Sequence, residues 1–167
     1  MKKQKTFIFF LILGIFFVFN GCAISTEGNT LHGFTMRMNE INPSYSMTDS
    51  GYIYNEADHT LTKYFDINDF NIMVQFMGNE KNELCSMNIV FDNLSEANTQ
   101  ELEFIKNCIL CYCNNKEKAD SLLNGIDFPQ ILFAKNINTT KNKVGNTEIL
   151  IDVTDIGCVI SVVQNTQ

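Results

Sequence analysis

Tryptophan is absent from this chain, and histidine occurs only at His32 and His59. Nucleophilic triads and zinc centres rely on histidines held in place by neighbours. His32 falls in a polar stretch without periodicity, and His59 at a predicted turn tip. Both read as solvated surface residues. No P-loop, dinucleotide fingerprint or nucleophile elbow occurs, and no internal repeat is visible. The sequence therefore predicts no catalytic residue, no bound metal and no cofactor.

Basic residues are also scarce. The chain holds 12 Lys and Arg against 19 Asp and Glu, a net charge of −7. Three of the twelve, Lys2, Lys3 and Lys5, stand at the extreme N-terminus. The rest of the chain is thus more acidic than the whole and has no Lys/Arg-rich stretch. Nucleic acid and anionic headgroups repel such a surface, which excludes nucleic-acid binding.

What is present begins with an uncharged apolar run, "TFIFFLILGIFFVF", over residues 6–19, followed by Asn20, Gly21 and Cys22. A basic start, a short apolar core and a small residue before a cut compose a secretory signal peptide. As helix, fourteen residues rise about 21 Å, against roughly 30 Å of hydrocarbon in a bilayer. The Gly21–Cys22 pair resembles the cleavage site of bacterial lipoprotein signal peptides. That resemblance covers residues 1–22 alone. It implies removal of residues 1–21 and a diacylglycerol on the Cys22 thiol. It also implies a place on the extracytoplasmic side of the cell membrane. Two other readings use the same residues. One is an ordinary signal peptide cut after Ala23 or Ser25. The other is an uncleaved anchor extending through Ile24.

Residues 23–33, "AISTEGNTLHG", read as a flexible tether that joins Cys22 to a single domain over 34–167. Eleven flexible residues reach about 18 Å. With Cys22 lipidated, five cysteines remain: Cys85, Cys108, Cys111, Cys113 and Cys158. An odd number leaves at least one thiol unpaired within the chain. "NCILCYC" suggests a metal site, but helix geometry turns Cys108 and Cys113 roughly 140° apart. Three such thiolates do not converge on one tetrahedral ion. Packing as small hydrophobes is the preferred reading for all five; a disulfide remains open.

Alternation of apolar and polar residues marks strands. "FTMRMNE" reads as a first strand with Phe34, Met36 and Met38 on one side. "GYIYNEADHTLTKYF" reads as a hairpin turning near 57–59. "NIMVQFM" and "LCSMNIVF" form a second hairpin, with Cys85, Met87, Ile89 and Phe91 on one face. "TEILIDV" and "CVISVVQ" form a third, joined across 154–157. A long helix is expected from a Ser95 N-cap, with Glu96 in its first turn, to about Asn114, on a Leu102–Ile105–Ile109–Tyr112 stripe. A short helix is expected over Lys116–Asn124, with Gly125 at its C′ position. "NINTTKNKVGN" reads as a polar loop, and "QILFAKNI" fits either strand or helix. The expected fold is α+β: an antiparallel sheet of about six strands, with one long and one short helix packed on one face.

Three groups of polar and aromatic residues stand out. Asp66, Asn68 and Asp69 form a turn without the glycine and distal glutamate of an EF-hand loop. Glu101 and Glu103 point to different helix sides. Tyr45, Tyr52, Tyr54 and Tyr64 cluster in the first half. Strand alternation puts some outward, so Tyr52, Tyr54 and Tyr64 are the candidate partner-contact face, with packing under the helices as the other reading. The expected function is a membrane-anchored envelope lipoprotein acting by non-enzymatic binding, with another envelope protein as partner. An envelope enzyme or enzyme subunit using carboxylates, and a small solute-binding lipoprotein, are the alternatives.

Overall fold

The computed structural model describes residues 28–165 except 80–82, 96–97 and 134–137. Residues 1–21, read above as a signal peptide, Cys22 and the first part of the expected tether lie outside the described residues. So does Glu96.

The chain enters the fold before Phe34. Helix α1 spans Leu31–Ile41 and replaces the expected strand. Thr30 is its N-cap, its side chain accepting from Gly33 N at 3.1 Å. Phe34 and Met38, one helical turn apart, are fully buried, while Met36 between them is 37% exposed. The alternation of Phe34, Met36 and Met38 was thus coincidental. Leu31, Phe34, Met38 and Ile41 carry the helical spacing, and the Thr30 cap decides the issue. Leu84 N donates to Asn29 O at 2.6 Å, so the last residues of the expected tether are tied to the sheet.

Four strands follow: β1 Ile53–Asn55, β2 Thr60–Ile67, β3 Phe70–Gly78 and β4 Leu84–Phe91. Each pairs antiparallel with the next. Between β2 and β3, Asn68 and Asp69 have φ of 53° and 63°. Two residues of this kind suit the twist of a two-residue hairpin. The chain then forms helix α2, Thr99–Cys113, and helix α3, Lys116–Asn124. They carry it to the far edge, where β5 Asn138–Val144, β6 Thr147–Val153 and β7 Cys158–Gln164 return toward the centre. The β7 strand closes against β4, giving one sheet of order β1-β2-β3-β4-β7-β6-β5. The α+β expectation holds in its coarse form, with seven strands and three helices among the described residues.

Three boundaries differ from the sequence reading. Helix α2 starts at Thr99, not beside Ser95: Asn98 takes the N-cap place, and its Oδ1 accepts from Ser95 N and Oγ. The polar segment around residues 138–144 is the edge strand β5. Pairing with β6 gives its backbone groups partners, and Lys141 and Lys143 keep its surface charged, as suits a sheet edge. Residues Gln130–Phe133 form a 3₁₀ turn rather than either alternative.

All three helices pack on the same face of the sheet. Phe34 of α1 meets Phe76 of β3 edge-on at 4.9 Å. Phe104 of α2 meets Phe65 of β2 at 5.2 Å. Asn142 of β5 donates its side-chain amide to Ser121 O and Leu122 O at the end of α3. Arg37 Nε donates to Cys111 O at 2.9 Å, joining α1 to α2 inside the core. Gly125 is needed for room rather than for a left-handed φ, which here is −70°. A Cβ there would overlap the Asn142 amide.

Candidate functional site

Residues directly opposite in an antiparallel pair share a side of the sheet. The register therefore defines the face that the helices leave open. Across its middle runs an apolar row, Tyr64, Met73, Val90 and Val159, continuing to Asp152. Beside it runs a polar row, Thr62, Gln75, Asn88 and Ser161. Gln75 Nε2 donates to Thr60 Oγ1 at 3.1 Å, and Asn88 Nδ2 donates to Gln75 Oε1 at 3.3 Å. These bonds fix the amides across three strands. Ile53, Tyr64, Met77, Leu150 and Val163 are exposed on or around this face.

The three tyrosines of the expected contact face do not come together. Tyr64 stands on the open face, 61% exposed. Tyr54 pairs opposite Leu61, on the helix side, and its hydroxyl meets His59 Nδ1 at 2.8 Å. Tyr52 lies before β1 and turns inward. Its ring packs near Phe76 and under the Lys63 ammonium, 5.0 Å from the ring centre. Burial pushes the Tyr52 phenol above its usual range. Lys63 lies on the helix side of β2, and its ammonium reaches out to Thr48 O and Ser50 O. That places the chain before β1 over the sheet and Tyr52 beneath it.

Both histidines are exposed, as expected of surface residues, yet each has a hydrogen-bond partner that the sequence did not suggest. His32 Nδ1 and Asp49 Oδ2 lie 2.6 Å apart. An ionised carboxylate only accepts, so Nδ1 carries the shared proton. This bond, above all else, holds the Asp49 carboxyl below its usual range, against the opposing effect of burial. His32, Asp49, Tyr54, Asp58 and His59 all line one groove of about 940 Å³, floored by Leu31, Leu61 and Leu84. Two imidazoles, two carboxylates and a phenol in one groove can exchange protons with a bound group. Sequence reasoning missed it because His32 and Asp49 belong to different segments, brought together only when α1 docks. No group of three or more possible metal ligands occurs among the described residues.

Four of these thiols are core groups: Cys108, Cys111, Cys113 and Cys158 are buried, and Cys85 is half-buried. Burial pushes the Cys108 thiol well up, Cys113 up to about 11 and Cys158 up to about 12. Such thiols are poor nucleophiles at neutral pH. Glu101 is buried beside Asn68, whereas Glu103 is exposed, so the two do diverge. No helix among the described residues is long and apolar enough to cross a membrane. No family model, no curated protein and no solved structure matches this chain.

Proposed function

We propose that this chain is an envelope lipoprotein, held to the extracytoplasmic side of the cell membrane through lipid on Cys22. Its folded part acts by binding another envelope protein, without catalysis. The observation that carries the anchoring is the Gly21–Cys22 pair at the end of an apolar run behind three lysines. The binding role is supported by the open sheet face. Its apolar row is flanked by amides whose geometry is already fixed, which lowers the ordering cost of association. Labelling cells with a fatty-acid probe tests the anchor. The wild type should incorporate label and Cys22→Ala should not; equal labelling would refute it. Crosslinked partners recovered from membranes should then be lost with Tyr64→Ala and Val90→Asp.

A second reading, an envelope enzyme using carboxylates, is favoured by Asp49 and Asp58 lying in one groove with both histidines. It predicts that Asp49→Asn and His59→Ala abolish function while partner capture through the open face persists.

A further inference from the structure

A second cleft, of about 520 Å³, lies at the other end of the sheet, where the β2–β3 turn meets α2 and the 3₁₀ turn Pro43–Tyr45. Its size falls within the range of small-ligand sites, roughly 300–1,000 Å³. Its floor is aromatic. Tyr45 and Phe65 are half-buried, and each packs at 5.2 Å against Phe104, which is fully buried and braces both rings.

Around that floor stand polar groups whose orientation is set but whose bonding capacity is not used up. Asn42 Oδ1 accepts from Ser44 N at 3.1 Å and Ser44 Oγ at 2.7 Å, which leaves its amide protons available to the cleft. Gln100 Oε1 accepts from Asn68 Nδ2 at 2.9 Å, so Gln100 likewise keeps its donors. The Tyr45 hydroxyl accepts from Asn107 Nδ2 at 3.3 Å and retains its own proton to give. Glu103 supplies a carboxylate acceptor at the rim, and no Lys or Arg lines the cleft.

A ligand suited to this cleft has an apolar face to lie on rings. It also has an edge of groups that both donate and accept, and no negative charge. Pyranose sugars have that chemistry: C–H bonds on a face, and hydroxyls around the rim that use one proton and two lone pairs each. We propose that the cleft binds a saccharide without acidic groups, with its ring over Tyr45 and Phe65. Its hydroxyls are shared between the Asn42 and Gln100 amides and the Glu103 carboxylate. That carboxylate also admits an amino sugar and repels a uronic or phosphorylated one. The site is separate from the open sheet face and does not depend on Cys22 carrying lipid.

The test is titration calorimetry of the full-length protein in detergent with three probes: a neutral tetramer of N-acetylglucosamine, its deacetylated amino form, and a tetramer of galacturonic acid. The first two should bind saturably at one site, and the acidic probe should bind at least about tenfold more weakly. Gln100→Ala and Glu103→Ala should each weaken the neutral probe about tenfold, as loss of a hydrogen bond to the ligand does. Both positions are exposed, and unchanged circular dichroism of each variant separates lost binding from lost fold. Tyr54→Phe, in the histidine groove, should leave binding unchanged. Absence of saturable heat with both non-acidic probes would overturn the proposal. So would indifference to Gln100→Ala and Glu103→Ala, equal binding of the acidic probe, or loss of binding in Tyr54→Phe.

Discussion

The two faces of the sheet are built from the same strands and obey opposite rules. On the covered face, Ile72, Val74, Met87, Ile89, Ile160 and Val162 are all at 0% exposure. On the open face their immediate neighbours include Gln75, Asn88 and Ser161, with Tyr64 at 61%. The difference teaches that stability is concentrated on one side. The covered face removes apolar area from water, at roughly 25 cal/mol per Å². The open face keeps a fixed pattern of rings and amides and gives up little water. Substitutions should therefore divide by face and not by residue size.

The largest expected effect tests this directly. Phe76→Ala should cost about 3–5 kcal/mol by denaturant unfolding, because it leaves a cavity against Phe34. Tyr64→Ala, also an aromatic truncation and only a few residues away across the hairpin, should cost less than about 1 kcal/mol. Comparable losses would break the contrast between faces.

Thiol reactivity sharpens it. Cys108, at 0% exposure, should alkylate at least about a hundredfold more slowly than half-buried Cys85 in the native protein, since labelling needs the core to open. Mass spectrometry of quenched time points measures both rates at once, and rapid labelling of Cys108 would place it outside the core.

A smaller effect lies where β5 meets α3. Gly125→Ala should destabilise by about 1–3 kcal/mol, because the added methyl collides with Asn142. Asn142→Ala removes the obstacle along with its bonds to Ser121 O and Leu122 O. The double variant should therefore lose less than the sum of the two single losses. Strict additivity would show that Asn142 is not what fixes residue 125 as glycine.

The least effects concern α1 and the chain before β1. Asp49 holds its proton less tightly in the fold than in the unfolded chain. Its contribution is complete above the unfolded value, about 4, and is lost as pH falls through the lower folded value. Asp49 is 45% exposed, so solvent screening limits the contribution to about 1 kcal/mol at most. Asp49→Asn should flatten that part of the acid limb below about pH 4. Tyr52→Phe should change stability by no more than about 0.5 kcal/mol in either direction. The Tyr52 hydroxyl is buried without a hydrogen-bond partner among the described residues, so its removal forfeits no bond.

Much of this architecture was legible in the sequence because local signals and burial agree there. Three hairpins, the α3 helix and the Ile105–Ile109–Tyr112 stripe of α2 follow from periodicity and turn residues alone. The seven residues from Phe34 to Glu40 were read as a strand and fold as helix, because Phe34 and Met38, four apart, share a face in either structure and only the exposure of Met36 tells the two apart. The polar β5 was illegible, because an edge strand needs backbone pairing and one core-facing side at most. The groups of the cleft beside α2 gave no motif either. Asn42, Phe65 and Gln100 come from three separate segments.

By itself the sequence determined the chain's acidity, the strand faces of the three hairpins and the burial of Cys108, Cys111, Cys113 and Cys158, since each depends on composition or on short-range spacing. Only the tertiary structure decided that Tyr52 turns inward while Tyr64 faces out, that His32 meets Asp49, and that β7 closes against β4. These are contacts between segments distant in the chain. Their energy appears only when helices cover one face of the sheet and leave the other to water.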